Sequence, residues 1–322
     1  MPKASIIIPT HNRSKFLEEA VRSVLAQTYQ DFEIIIIDDA STDNTSEIIS
    51  QKFATDIKNG RIRYVRNEKQ MERSFSRNVG MDISRGEYIA LLDDDDIWLP
   101  FHLETLVDFL DINKSVFLVF SNFINYSMEG LMERAWSSKN YLETGFGDRY
   151  RKKFIASTFG CTPSSLFRRE VFERLGGFNS DIFFREDIEF FSRVAMNYNV
   201  GYVNRISCLI RIHERTYKYK ELKRKISLHS EKALKIIGDN SRKYNFPIPR
   251  STLAQWYMTL GSLLIPHDFS KARRYILKTL KLDYKFLFKG STWGIIFRVI
   301  IGQRIYLKLA RFKNRHYTKV MR

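Results

Sequence analysis

Four consecutive aspartates, Asp93 to Asp96, are the densest group of ionisable side chains in the sequence. They follow the apolar run 88–92 and precede Ile97-Trp98-Leu99-Pro100, so a strand is expected to end at this cluster. Adjacent carboxylates repel one another unless a cation or strong hydrogen-bond donors offset their charge. The cluster therefore predicts a divalent metal site, and a purely structural acidic turn is the alternative.

Two further polar clusters also follow apolar runs. Pro9-Thr10-His11-Asn12 comes after a predicted strand at Ala4–Ile8, and Asp38-Asp39 comes after a second one at Glu33–Ile37. Loop acids after a strand often form turns or cap helices. Three such clusters are better explained by a shared site, because ligands bind at the carboxyl ends of strands in open α/β sheets.

Strands and helices alternate along the first two thirds of the chain. A third strand is expected at Ile62–Val65, a helix around Ser74–Ile83, and another strand at Val116–Ser121. This order predicts an α/β fold with a mostly parallel sheet flanked by helices. After residue 215 the apolar spacing is helical throughout.

Charge divides the chain of 322 residues, whose net charge is +17, into two parts. Residues 215–322 carry 26 Lys and Arg against 5 Asp and Glu, a net charge of +21, and residues 1–214 have a net charge of −4. We therefore expect a catalytic domain at 1–215 and a basic helical region at 216–322 that meets an anionic partner.

Several features predict a cytoplasmic protein. Cys161 and Cys208 have no metal-ligand spacing, which favours ordinary thiols in a reducing compartment. The first residues lack a secretory pattern, and no apolar run reaches the roughly 18 residues that a membrane-spanning helix needs.

The sequence resembles the inverting family 2 glycosyltransferases, whose nucleotide-sugar-binding fold is called GT-A. The resemblance covers residues 4–215 and departs from the usual pattern at His11, where the family has Tyr. It rests on eight short motifs in the right order: residues 5–13, 37–43, 76–80, 86–89, 92–96, 165–172, 176–178 and 185–187.

The resemblance implies a metal site and a donor site. Asp93 and Asp95 match the outer positions of the family's Asp-x-Asp motif and would bind Mn²⁺ or Mg²⁺, and His213 matches a histidine that can approach the metal or the diphosphate. A structural histidine is the alternative for His213. The expected donor is a nucleotide-sugar, with uridine diphosphate as its nucleotide.

The predicted donor-binding residues surround that metal site. The resemblance places Asp39 on the uracil N–H, and the other members of the set are Pro9, Thr10, Asn12, Asp38, Arg77 and Asp94. Two alternatives stay open. Asp38 could instead cap the following helix, and Arg77 could be an ordinary surface residue.

The segment 183–191 places acids, among them Glu186 and Asp187, among aromatic residues, where reduced solvation could raise a pKa. By resemblance Asp187 is the base that takes the acceptor proton, and Glu186 is its neighbour with an acceptor-binding role. Without the resemblance, favourable pairing with a helix dipole would explain both acids.

The end of the chain has an amphipathic pattern. Ile301, Ile305, Leu309 and Phe312 would share one helical face, and Arg304, Lys308, Arg311 and Arg315 would form a basic stripe. This pattern indicates docking on the anionic inner face of the cell membrane, and packing of the apolar face on the protein is the alternative. No base-stacking or groove-reading motif indicates nucleic-acid binding.

The predicted function is metal-dependent, inverting transfer of a sugar to a hydroxyl of a surface-glycan intermediate. The glycan would be a capsule, lipopolysaccharide or exopolysaccharide precursor, free or lipid-linked. A non-catalytic nucleotide-sugar-binding or assembly protein on the same fold is the alternative. A nucleotidyltransferase is disfavoured because the Gly-rich, lysine-containing loop expected near its amino terminus is absent from the sequence.

Overall fold

The computed structural model describes residues 1–127, 130–135, 142–157, 160–212, 219–288 and 290–302. His213 and the segment 303–322, with most of the predicted amphipathic face, lie outside the described residues. The strands found within these ranges are β1 (Ala4–Thr10), β2 (Phe32–Asp38), β3 (Ile62–Arg66), β4 (Tyr88–Leu91), β5 (Ile97–Trp98), β6 (Val116–Ser127), β7 (Gly130–Ala135), β8 (Gly145–Phe146), β9 (Ser165–Arg168) and β10 (Asn199–Arg211).

The helices of the same ranges alternate with these strands and then follow them. They are α1 (Ser14–Leu25), α2 (Thr45–Lys52), α3 (Ala54–Lys58), α4 (Glu72–Ile83), α5 (His102–Ile112), α6 (Asp148–Ser157), α7 (Arg169–Leu175), α8 (Glu186–Asn197), α9 (Tyr219–Lys243), α10 (Arg250–Leu264), α11 (Phe269–Leu282) and α12 (Gly290–Ile301).

One mixed sheet forms the centre of the fold, with the strand order β3-β2-β1-β4-β9-β6-β10-β5. Within the described part, β9 and β5 are the two strands on this path that run against the other six. The predicted α/β fold with a mostly parallel sheet is therefore confirmed. The antiparallel β9 lies between β4 and β6, an insertion that short apolar runs in the sequence do not reveal.

The three polar clusters, at residues 9–12, 38–39 and 93–96, meet at one edge of this sheet. β2, β1 and β4 are parallel neighbours, with Thr10 opposite Asp38 and Ile7 opposite Leu91. Every residue of β1, β2 and β4 is buried, as expected for central strands covered on both faces. The clusters therefore follow three adjacent strands at their carboxyl ends, as the sequence predicts.

Helix α4 packs unusually close to β1. A Cβ atom on Gly80 would lie 2.4 Å from the Cγ2 atom of Ile7, so a larger residue at this position would push the helix off the sheet. Arg77 lies one turn earlier on the same helix and is 1% exposed. The close approach at Gly80 thus brings the Arg77 side chain beneath the carboxyl edge of the sheet.

The chain divides into two compact units. The first comprises Met1–Arg215 and Ile236–Phe246, and the second comprises Thr216–Lys235 and Pro247–Arg322. The second unit is helical where it is described, and its core includes Met258, Tyr275, Ile276 and Phe286. Across the described residues, no helix has both the length and the apolar character needed to cross a membrane.

Candidate functional site

The loops after β1 and β2 are locked together by Asn12. The Asn12 backbone has a positive φ of 54°, a region that asparagine tolerates better than most residues. Its side-chain oxygen accepts hydrogen bonds from the backbone N–H groups of Thr42 at 2.7 Å and Asp43 at 3.2 Å. The backbone N–H of Asn12 donates to Ser41 Oγ at 2.9 Å. Asn12 therefore fixes the shape of the loop in which Asp39 lies.

Asp39 ties this loop to the start of α4. Its carboxylate accepts hydrogen bonds from the backbone N–H groups of Met71 and Glu72, both at 2.8 Å, and from the side chain of Asn67 at 2.7 Å. A carboxylate has about four acceptor positions. Three are used here, so one position on Oδ2 could accept an N–H from a ligand. Its predicted contact with uracil stays a prediction.

Asp38 is fully buried and supports the loop from below. Its oxygens accept hydrogen bonds from Ser41 N–H at 2.8 Å and from the hydroxyl of Tyr64. Burial and this bond raise the pKa of Tyr64. The alternative that Asp38 caps α2 is wrong, because α2 begins at Thr45 and it is Asp43 that accepts the Thr45 N–H. Its predicted role in donor binding is untested.

We call residues 10–12, 38–43 and 67–72 the base-side loops, and residues 93–96 with Glu186 and Asp187 the acid rim. In the rim the four aspartates alternate in exposure. Asp93 and Asp95 keep 31% and 15% of their side chains exposed, whereas Asp94 keeps 7% and Asp96 is buried. The two residues predicted to bind a metal are thus the accessible ones.

The buried pair of aspartates is held by polar partners. Thr10 Oγ1 donates to Asp94 at 2.7 Å, and the backbone N–H of Arg211 donates to Asp96 at 2.8 Å. Burial and the neighbouring carboxylates raise the pKa of Asp96 to about 9, and burial raises that of Asp94 to about 6. Asp96 is therefore largely protonated at neutral pH, which reduces the repulsion within the cluster.

Two arginines hold the accessible carboxylates. Arg13 Nη1 lies 2.5 Å from Asp95 Oδ2 and 3.1 Å from Asp94 Oδ1. Arg77 Nη2 donates to Asp93 at 2.6 Å, and its Nη1 donates to Glu186 at 3.1 Å. Arg77 thus joins the aspartate cluster to helix α8. It is not the ordinary surface residue of the alternative, and its predicted contact with the nucleotide or its phosphates stays untested.

Burial and the neighbouring charges shift the pKa values of Asp93 and Glu186 in opposite directions. Burial alone would raise the pKa of Asp93, but the positive charges of Arg77, Arg73 and Arg13 together outweigh burial and lower it. Burial and then the charge of Asp187 raise the pKa of Glu186, against the opposing effect of Arg77. At the rim, Asp93 therefore remains ionised while Glu186 is easier to protonate.

Glu186 and Asp187 form the first turn of α8. The preceding residue, Arg185, has a left-handed backbone with φ of 67°, which turns the chain sharply into the helix. Glu186 is buried and Asp187 is partly exposed, with one Asp187 oxygen accepting its neighbour's N–H at 2.8 Å. Asp187 is thus the more accessible of the two acids, as a base that meets an acceptor must be.

Sequence reasoning gave no role to three arginines that build this site. Arg13 pairs with two aspartates, and Arg211 Nε donates to the backbone oxygen of Asp95 at 2.9 Å. Arg193 pairs with Glu189 at 2.9 Å and donates to the backbone oxygens of Leu175 and Gly177. Arg13 belongs to the motif at residues 5–13, but its partners, like that of Arg211, are distant in sequence.

Within the described ranges, no three His, Cys, Asp or Glu side chains are grouped as a protein metal cage. Asp93 and Asp95 nevertheless fit Mg²⁺ or Mn²⁺, because such ions are commonly held by one or two carboxylates and complete their coordination with water and substrate phosphates. Both carboxylates are hard oxygen donors at an accessible edge. The residues present therefore suit an ion that arrives with a diphosphate.

The amino-acid sequence matches a known family and known relatives. The model of glycosyl transferase family 2 matches residues 5–176. An uncharacterized glycosyltransferase of Methanocaldococcus jannaschii is 27% identical over 286 residues, which is 88% of this chain and 94% of the relative. The GalNAc(5)-diNAcBac-PP-undecaprenol beta-1,3-glucosyltransferase of Campylobacter jejuni is 32% identical over 174 residues, and the match spans 54% of each chain.

Solved structures share the fold at low sequence identity. Staphylococcus aureus TarS 1–349 in complex with UDP has a TM-score of 0.57 and 17% identity, over 88% of this chain and 91% of that one. The mannosyltransferase PcManGT of Pyrobaculum calidifontis, in complex with GDP-Man and Mn²⁺, has a TM-score of 0.56 and 19% identity, over 89% and 87%. These similarities support the predicted GT-A fold.

Proposed function

Because the chain belongs to glycosyl transferase family 2 and is a glycosyltransferase, we propose that it moves one sugar from a UDP-sugar to a hydroxyl of a surface-glycan intermediate, with inversion and with the help of a divalent cation. The observation that carries this proposal is the alternating burial of the four aspartates. It leaves Asp93 and Asp95 accessible at the same edge of the sheet as the base-side loops.

In this proposal the base-side loops bind the nucleotide. The remaining acceptor position on Asp39 suits the N–H of a uracil ring, since the three bonds from Asn67, Met71 and Glu72 hold its carboxylate in place. Asn12 keeps the loop in shape through its bonds to residues 41–43. Pro9, Thr10 and the buried Asp94 then form the floor between the base and the accessible carboxylates of Asp93 and Asp95.

The acid rim performs the transfer. A divalent cation on Asp93 and Asp95, with His213 as a further proposed ligand, would neutralise the negative charge that develops on the departing diphosphate. The acceptor oxygen bonds to the anomeric carbon as the bond from that carbon to the β-phosphate oxygen breaks. Asp187 takes the acceptor proton, and UDP leaves. Glu186, held by Arg77, contributes to the acceptor side.

The names of two similar proteins support the choice of donor and acceptor. The Campylobacter jejuni relative is named for a diphosphoundecaprenol-type acceptor, and the TarS structure holds UDP. By analogy we propose a lipid-linked saccharide as the acceptor here. Such an acceptor would bring the enzyme to the cytoplasmic face of a membrane, where the net charge of +21 on residues 215–322 favours anionic lipid.

Thermal shift with a panel of nucleotide-sugars, each with and without Mn²⁺, tests the donor and the cation together. A ligand that binds only the folded state raises the unfolding temperature as its concentration exceeds its dissociation constant. We expect a UDP-sugar to stabilise the protein more with Mn²⁺ than without it. Equal shifts with and without the ion would contradict the metal role, and a larger shift with a GDP-sugar would contradict the uridine donor.

A transfer assay completes the test. The stabilising donor is mixed with a lipid-linked saccharide extract, and sugar incorporation and UDP release are both measured. We expect incorporation into the lipid fraction with an inverted anomeric configuration. Donor binding without transfer or hydrolysis would favour the non-catalytic alternative.

A further inference from the structure

Helix α11 presents a row of cations on its outer face. Arg273, Arg274, Lys278 and Lys281 are all exposed, and the sequence from Phe269 to Leu282 contains no acid. Among the described residues, no carboxylate lies within ion-pair distance of these four side chains, although Glu231 pairs with Lys271 of the same helix and its pKa is lowered in part by the charge of Arg274. The four cations line one open groove of about 380 Å³ together with Ser270 and Leu277.

The opposite face of α11 fixes the orientation of this row. Ala272, Tyr275, Ile276 and Thr279 are buried in the second unit. The Tyr275 hydroxyl donates to Glu231 at 2.6 Å, and Lys271 pairs with the same carboxylate at 3.1 Å. The helix cannot rotate its cations inward without exposing this core, so the charged face is a built feature of the unit.

Aromatic rings below the row position two of its members. The Arg274 guanidinium lies 5.6 Å from the centroid of the Tyr275 ring, and the Lys278 ammonium lies 5.4 Å from the Tyr257 ring and 5.5 Å from the Tyr275 ring. These cation–π contacts hold the side-chain stems against the protein. Less side-chain freedom is then lost when an anion binds.

Large apolar side chains are exposed in the same unit. Leu277, in the middle of the cations, is 55% exposed, and so are Trp293 and Phe297 of α12, while Phe288 is 77% exposed. Ile296, between Trp293 and Phe297, packs into the core instead. Cations with exposed aromatic and aliphatic side chains are typical of surfaces that enter the headgroup layer of a bilayer.

We propose that the cationic face of α11, defined by Arg273, Arg274, Lys278 and Lys281, docks on the phosphate headgroups of an anionic bilayer, with Leu277 entering the headgroup layer. The proposal rests on the proposed function, because a lipid-linked acceptor requires the enzyme at a membrane. It adds the helix at 269–282 to the amphipathic segment predicted at the end of the chain, whose own membrane contact stays a prediction. A nucleic acid would neutralise the cations but would leave the apolar side chains in water.

Vesicle co-sedimentation of the full chain tests this surface. Vesicles of phosphatidylcholine with phosphatidylglycerol are expected to bind the protein, less tightly at high salt, and vesicles of phosphatidylcholine alone are expected to bind it weakly. The variant Arg273→Glu/Arg274→Glu/Lys281→Glu should bind on the order of 100-fold more weakly, since each cation near such a surface contributes roughly fivefold in affinity.

A second triple variant serves as the matched control. Arg224→Glu/Lys225→Glu/Lys235→Glu makes the same charge change at exposed positions of α9. We expect it to lose less than about tenfold in affinity, because only long-range attraction changes. Equal losses in the two variants, absence of binding by the unmodified protein, or equally tight binding to RNA would each overturn the proposal.

Donor binding separates this proposal from the proposed function. The α11 variant, without vesicles, should keep the UDP-sugar and Mn²⁺ thermal shift of the unmodified protein and its unfolding temperature. If the unmodified protein binds donor but not anionic vesicles, the docking surface is wrong and the transfer function stands. If it binds vesicles but no nucleotide-sugar, the transfer function is wrong.

Discussion

The base-side loops and the acid rim hold their carboxylates by different means. On the base side, Asp39 accepts hydrogen bonds from two backbone N–H groups and Asp38 from one, so none of these three donors can move unless its loop moves. In the rim, Arg13 and Arg77 hold Asp95 and Asp93 through guanidinium groups at the ends of long side chains. The base-side carboxylates are therefore fixed by the fold, whereas the carboxylates of Asp93 and Asp95 can exchange their arginine partners for other cations.

This difference separates binding from chemistry. A carboxylate that accepts backbone N–H groups is part of the fold, because removing it takes away their acceptor, at a cost of up to about 1–3 kcal/mol for each donor that is left unsatisfied. A partly exposed carboxylate held by a side chain can release that side chain when a cation or a diphosphate arrives. Substitutions on the base side should therefore change stability, and substitutions of exposed rim residues should change turnover.

The largest effect is expected at Asp187. Asp187→Asn removes the proposed base while keeping the shape and the bond to the Ile188 N–H, so kcat should fall by about 10³-fold, within the range for general-base catalysis. Donor affinity should stay within about threefold. Initial rates of transfer and a UDP-sugar titration measure both quantities.

Asp82→Asn, at an exposed position of α4, is the control for Asp187→Asn and should have normal turnover. Near-normal turnover by Asp187→Asn would refute its role as the base. An equal loss of donor affinity and of kcat would place Asp187 in donor binding instead.

The next largest effect, on donor affinity, tests the alternation of exposed and buried side chains within the aspartate cluster. Asp95→Asn should weaken Mn²⁺-dependent donor binding by about 100-fold, because an accessible carboxylate is a far better ligand for a hard cation than an amide. Asp96→Asn should change it by less than about threefold. Asp96 is buried, has a pKa raised to about 9, and needs only an acceptor for the Arg211 N–H.

Calorimetric titration with the UDP-sugar, with and without Mn²⁺, compares the two substitutions. Equal losses of Mn²⁺-dependent donor affinity in Asp95→Asn and Asp96→Asn would contradict the distinction between accessible and buried positions. The two residues are adjacent and chemically identical, so each is a close control for the other.

A base-side substitution should behave differently from both. Asp39→Ala leaves the N–H groups of Met71 and Glu72 without their acceptor, so we expect a loss of about 2 kcal/mol in the free energy of unfolding and about tenfold in UDP affinity. Urea unfolding with and without UDP measures these losses. A large loss of UDP affinity at unchanged stability would mean that Asp39 acts on the ligand alone.

The sequence predicted the placement of residues that follow directly after a strand, because that placement depends only on the order of elements along the chain. An alternation of buried runs and polar clusters along the chain was enough to place Thr10, Asp38 and Asp93 at the same edge of the sheet, since parallel strands share their carboxyl ends.

The sequence could not predict what depends on distant pairs. Arg77 reaches Glu186 across 109 positions, and Arg211 reaches Asp96 across 115. No periodicity or spacing encodes such contacts, because they arise only when the sheet brings α4, α8 and β10 together. The insertion of the antiparallel β9 between β4 and β6 escaped prediction for the same reason.

The smallest effect concerns the pH dependence of stability, where Asp94 in the rim provides the test. Burial raises the pKa of Asp94 to about 6 in the folded protein, above the value of about 3.9 expected when unfolded. Its contribution to stability is therefore complete below about pH 4 and is lost as the pH rises to about 6. Between pH 5 and pH 7 the loss should be about 1 kcal/mol.

Asp94→Asn removes this titration while keeping an acceptor for the Thr10 hydroxyl. The free energy of unfolding is measured in urea at both pH values for both proteins. The difference between the two proteins gives the contribution of Asp94, because the contributions of the other titrating groups cancel. A stability difference between the two proteins that does not change with pH would mean that Asp94 is already ionised at pH 5. The rim would then resemble the base-side loops, with its charge offset by fixed donors rather than by a bound proton.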